Sequence, residues 1–134
     1  MSALPLEVGW REVATLRLIG LPRDYPIQKR VDAELARAGR AAPPEMTCNY
    51  LETQIAMVEA GAGAGVAPTS AAPACGKRKV TMHAIVDPVV WTEFCGVSPR
   101  SRQLSPLAED FGEFLRGYLT HIANQGPSNA ARAA

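Results

Sequence analysis

The sequence predicts an α/β domain built on a largely parallel sheet. Three observations predict it. Short apolar runs that read as strands alternate along the chain with amphipathic helical stripes. Each helix stripe is bracketed by start and stop residues. A long amphipathic helix near the end needs an apolar surface to dock on. At 134 residues the chain suits one domain and can bury roughly two thirds of its unfolded surface.

Residues 7–15 read as a short helix or turn carrying Trp10 and Val13, and Leu16 to Leu21 as a strand. Pro22 to Pro26 forms a loop in which Asp24 is a candidate cap and Pro26 fits the first helical turn. Ile27, Val31 and Leu35 share one helix face, Gly39 stops that helix, and Pro43-Pro44 keeps the following linker out of helix. Glu45 to Cys48 reads as a second strand. Asn49-Tyr50-Leu51-Glu52 has the spacing of a capping box, opening a helix with the stripe Leu51, Ile55, Val58. Gly61 to Gly65 ends that helix and leads into a third strand, Val66 to Pro68.

Thr69 to Ala72 reads as a helical turn before an exposed corner, Gly76 to Lys79. Val80 to Val86 alternates as a strand, Asp87-Pro88 turns, and Trp91 to Val97 is a further strand. Ser105 then caps a helix with Pro106 at its first position. Glu109 and Asp110 complement the positive end of its dipole. Leu107, Phe111, Phe114, Leu115 and Tyr118 share one face and predict burial. Residues 123–134 are Ala, Asn, Gly, Ser and Pro in large part and read as a disordered tail.

Composition narrows the function. Hydrophobic content of 47% and charged content of 20% are ordinary for a soluble domain, and a net charge of +1 provides no global field for nucleic acid or anionic membrane. Glu52 and Glu59 interrupt the best apolar run, and the start lacks the basic flank and long apolar core of a signal peptide. Cys48, Cys75 and Cys95 form no Cys-x-x-Cys pair, which suits a reducing cytoplasm; Cys48 and Cys95 in strand-like runs read as small buried hydrophobes. The sequence offers no cofactor motif and no metal-ligand spacing. Gly61-x-Gly63-x-Gly65 follows a helix and precedes a strand, the reverse of a phosphate loop. His83 and His121 lie near no nucleophile motif, so catalysis is not expected.

In a parallel sheet ligands sit outside the carboxyl ends of the strands. That rule gathers Pro22 to Tyr25, Asn49-Tyr50 and Gly65 to Pro68.

The order of these pieces resembles the C-terminal part of a LysR-type transcriptional regulator. The resemblance rests on a strand, Pro22 and a helix ending Ala36-Arg37-Ala38-Gly39. A strand, Asn49 and a helix ending Val58-Glu59-Ala60-Gly61 follow. Gly63 to Pro68, Asp87-Pro88, Arg102 to Ala108 and Phe111-Gly112-Glu113-Phe114-Leu115 complete it. It covers about Leu4 to Leu119. It implies a periplasmic-binding-protein-like (type 2) effector domain of two α/β lobes with the effector between them. Residues 1–122 then form part of that domain, with about 7–85 as the second lobe. Residues 90–122 supply the returning strand and C-terminal helix of the first lobe.

The family's DNA-binding helix-turn-helix and most of its first lobe have no counterpart in these residues, and Glu93 and Cys95 depart from its usual return strand. DNA would be contacted only through that absent helix-turn-helix. The resemblance implies a small-molecule effector, a carboxylate or other anion, and a homo-oligomer, with no membrane partner. The effector-binding residues it implies are Pro22, Arg23, Tyr25, Asn49, Tyr50, Gly65, Val66 and Pro68. Plainer roles stand beside these: Asn49 as a helix cap, Tyr25 and Tyr50 as packing at a lobe edge, Arg23 as a surface charge. A self-associating half-domain that binds no effector is the alternative reading of the whole.

Overall fold

A computed structural model describes residues 6–124. All strand pairing in it is parallel, as the alternation of elements predicts. The order is β1 (Glu7–Gly9), α1 (Trp10–Val13), β2 (Leu18–Gly20), α2 (Pro26–Arg37), β3 (Met46–Thr47), α3 (Leu51–Glu59) and β4 (Ala64–Gly65). A 3-10 turn (Thr69–Ala71), α4 (Ala72–Cys75), β5 (Ala84–Val86) and α5 (Pro106–Asn124) follow. β2 is the central strand of a three-stranded sheet, β3-β2-β4, and β1 pairs with β5 in a second sheet.

Adjacent residues of β2 serve opposite faces, as the pleat requires. Leu18 packs with Trp10, Val13, Val31 and Leu35, so α1 and α2 cover that side. Ile19 joins Leu21 and Cys48 against Met57 and Val58, so α3 covers the other. A third cluster, Ile55, Ala71 and Cys75, ties α3 to the turn after β4. Burial of large aliphatic side chains in these clusters contributes about 1.5–3 kcal/mol each.

The helix stops follow the glycines. Gly39 takes φ +95°, and the Arg40 amide donates back to the Leu35 carbonyl at 2.8 Å. Arg40 then clasps the linker, donating to the Ala14 and Leu16 carbonyls at 3.0 and 2.7 Å and pairing with both Glu45 oxygens at 2.9 Å. The other Glu45 contact is the Leu18 amide, at 2.7 Å.

Several expectations need correction. Glu7–Gly9 forms a strand before the predicted helix; it is only three residues long and shows no alternation to read. The third strand is Ala64–Gly65, not Val66 to Pro68, for a reason given below. Of Val80 to Val86 only Ala84–Val86 pairs, because the partner strand β1 has just three residues. Trp91 to Val97 is irregular and exposed, since no neighbouring strand offers it a ladder; the predicted returning strand is absent, and Cys95 is exposed rather than buried.

The last helix forms as predicted, with the Ala108 amide donating to Ser105 Oγ at 3.3 Å. Its apolar stripe does not dock. Leu107, Phe111 and Phe114 are 79%, 61% and 67% exposed, and Phe114 stacks on Tyr118 of the same helix. Ile122 is a buried side chain of α5, and the helix contacts the turn after β4. Residues 125–134 of the predicted tail lie outside the described residues, and the helix runs to Asn124.

Candidate functional site at the carboxyl edge of the sheet

The strand order β3-β2-β4 determines where a ligand can sit. The chain leaves β2 toward β3 through α2, then crosses back through α3 to β4 on the far side of β2. Reversal of direction at a central strand opens a crevice outside the carboxyl ends of the strands. The segments at those ends are Leu21 to Tyr25, Cys48 to Tyr50 and Val66 to Pro68.

Two buried glutamines shape this edge. Alternate residues of a strand present their backbone groups to opposite neighbours. The Arg17 carbonyl accepts from the Ala64 amide at 2.9 Å, so the next groups on the β4 side are the Ile19 carbonyl and the Leu21 amide. Neither goes to β4. Gln54 Nε2 donates to the Ile19 carbonyl at 2.6 Å, and Gln28 Oε1 accepts from the Leu21 amide at 2.8 Å. With the Leu21 amide taken by Gln28, the pairing ends at Ile19 and Gly65. Gln28 is held in turn by Asp32, to which its Nε2 donates at 2.7 Å.

Both helices open toward this edge without a side-chain cap. The residue before α2 is Tyr25, not Asp24; the residue before α3 is Tyr50, not Asn49. Asn49 sits one position too early for the capping box, and Glu52 is the second helical residue rather than the third. The Asn49 carbonyl instead accepts from the Tyr25 hydroxyl at 3.2 Å, joining the loops after β2 and β3. Tyr25 is half-exposed and Tyr50 strongly exposed. Arg23 is exposed and makes no hydrogen bond or ion pair among the described residues.

The eight expected site residues thus fall into two groups. Pro22, Arg23, Tyr25, Asn49 and Tyr50 follow the adjacent strands β2 and β3. Gly65 ends β4, Val66 and Pro68 follow it, and all three line a cavity of about 530 Å³, which the other five do not reach. The two glutamines were not anticipated. A glutamine early in each of two successive helices, at positions 28 and 54, was the available signal.

Nearby carboxylates and thiols have structural surroundings. Burial, and then the Glu52 charge, push the Cys75 thiol up. The Lys79 amide, then Arg78, hold the Glu59 carboxyl below its usual range. Among the described residues no cluster of three or more His, Cys, Asp or Glu could hold a metal ion, and no helix is long and apolar enough to cross a membrane.

The family described as LysR substrate binding domain matches residues 3–120. The chain belongs to that family. The LysR substrate-binding domain is an α/β periplasmic-binding-protein-like unit of transcriptional regulators rather than of enzymes, and its general task is to sense a small-molecule effector. No curated protein and no solved structure matches the chain significantly.

Proposed function

We propose that this chain is the effector-sensing portion of a LysR-type transcriptional regulator, with its effector at the carboxyl edge of β2, β3 and β4. On this reading residues 7–85 are the second lobe and residues 90–122 belong with a first lobe. The effector is a small anion, a carboxylate among the first candidates, held by Arg23 with Tyr25, Asn49 and Tyr50 around it. The protein works in the cytoplasm as a homo-oligomer, performs no catalysis, and reaches DNA only through a helix-turn-helix that these residues do not contain.

One observation carries this reading: α2 and α3 open at the same sheet edge with no side-chain cap on either, beside an arginine with no counter-ion among the described residues. First-turn amides without side-chain partners favour an anion, and a guanidinium adds a charge-assisted bond. The test is calorimetric titration of the chain with a panel of small mono- and dicarboxylates. A saturable response that Arg23→Gln weakens by about tenfold supports the assignment, that factor being the scale of one charge-assisted bond. Binding that is indifferent to Arg23 would remove the site from this edge.

The exposed apolar face of α5 favours a second reading, a half-domain that self-associates without an effector. Light scattering decides it: a monomer across micromolar concentrations removes that reading.

A further inference from the structure

The cavity of about 530 Å³ shares Gly65, Val66 and Pro68 with the edge just described but extends away from its other residues. It lies between the two parallel sheets and is bordered by both the first and third core clusters, through Val8 and Trp10 on one side and Ile55 and Cys75 on the other. None of Arg23, Tyr25, Asn49 or Tyr50 borders it. Its size falls in the range of small-molecule sites, roughly 300–1,000 Å³. Its lining is mostly apolar with a few polar groups, which favours an occupant with an apolar body.

Charge selects the occupant further. Arg30 is the one Arg, Lys, Asp or Glu on the lining, and no carboxylate pairs with it among the described residues. It is exposed, and its Nη2 donates to the Trp91 carbonyl at 3.5 Å, a long contact that leaves most of its donors free. Trp91 and Phe94, both largely exposed, also border the cavity and place apolar surface beside Arg30 at its mouth.

We propose that this cavity is a second binding site, one that takes an amphipathic monoanion with its apolar body between the sheets and its acidic head at Arg30. The absence of any lining carboxylate disfavours an amphipathic cation. The single arginine favours one acidic group over two.

Decanoate is the probe, with decanol as the same body without the charge and acetate as the charge without the body. Both tryptophans of the chain, Trp10 and Trp91, border the cavity, so intrinsic fluorescence reports its filling. Decanoate below its micellar concentration is expected to give a saturable change in emission, and acetate none. Arg30→Gln is expected to weaken decanoate by about tenfold while leaving decanol unchanged, the scale of one charge-assisted hydrogen bond. Val66→Phe, which fills space from the β4 side, is expected to weaken both decanoate and decanol. Should that core variant fail to fold by circular dichroism, the exposed Arg30→Gln variant decides alone. The proposal is overturned if decanoate gives no saturable change, if acetate reproduces its response, or if Arg30→Gln leaves decanoate affinity intact. Loss of decanoate response in Arg23→Gln but not in Arg30→Gln would place the fatty acid at the sheet edge and also overturn it.

Discussion

Gln54 occupies the space that a side chain at Gly65 would need. A Cβ built on Gly65 would stand 2.7 Å from Gln54 Cδ and 2.8 Å from its Cγ. Gln54 cannot retreat freely, because it is buried and its Nε2 donates to the Ile19 carbonyl. The end of β4 and the first turns of α3 are thereby locked to the central strand. Gly65→Ala is predicted to destabilise the chain by about 1–3 kcal/mol through overpacking. In a double-mutant cycle with Gln54→Ala, chemical denaturation should find the Gly65→Ala penalty largely relieved. Equal penalties in both backgrounds would show that the glycine answers to something else.

Gln28 does the matching task at the same edge of β2, from α2 rather than α3. Its Oε1 serves the Leu21 amide in a buried setting, and its Nε2 is oriented by Asp32. Gln28→Met keeps the volume and removes the acceptor. The Leu21 amide is then left without a partner, a loss of about 1–3 kcal/mol in a denaturant titration. Amide hydrogen exchange at Leu21 should accelerate in that variant even where global stability is matched by temperature.

The core was readable from the sequence where periodicity was long enough to count. Ile27, Val31 and Leu35 share a helix face and join or border the first two clusters, while Leu51 and Ile55 belong to the third cluster and Val58 borders the second. The parallel sheet followed from the alternation of those helices with strands. What escaped was set by tertiary partners. The pairing stops at Gly65 because the Gln28 side chain takes the Leu21 amide, the next donor facing β4, which no hydrophobic pattern reports. Trp91 to Val97 has strand-like composition, yet a strand exists only with a neighbour to pair with. Of the candidate site, the loop positions were legible from strand–loop–helix order, whereas the cap at Asn49 failed by a single residue of register.

That register error changes the outcome expected of Asn49→Ala. With a capping side chain, the substitution would cost about 0.5–2 kcal/mol. The residue before α3 is Tyr50, and the recorded contact of Asn49 is through its carbonyl, which alanine retains. Stability is therefore predicted to change by less than about 0.5 kcal/mol. A loss of anion binding in this folded variant would then report directly on the Asn49 side chain at the effector edge.

The last helix divides into a free stripe and a buried end. Phe111→Ala removes a side chain that is mostly in water, so its effect should stay within about 0.5 kcal/mol. Ile122→Ala truncates a side chain only 5% exposed and should cost about 2–5 kcal/mol. The ratio is the test. If Phe111→Ala proves as damaging as Ile122→Ala in the isolated chain, the stripe is covered in solution, and light scattering of the same samples would reveal whether a second copy covers it.

Acid should loosen the clasp between Arg40 and Glu45. The Leu18 amide first, then Glu45's own amide and Arg40, hold the Glu45 carboxyl below its usual range against a smaller opposing effect of burial. The folded state therefore binds this proton less tightly than the unfolded chain does. Its contribution to stability is complete above the unfolded carboxylate value, about 4.3, and is lost as pH falls through the lowered folded value. Glu45→Gln is predicted to lower the unfolding midpoint at pH 7, with the gap to the wild type narrowing as pH falls below about 4.3 and closing once the folded carboxyl is protonated as well. Glu59, held down by the Lys79 amide and Arg78, should add a second, independent loss in the same direction. A gap that persists unchanged at pH 3 would assign the Glu45 effect to packing rather than to its charge.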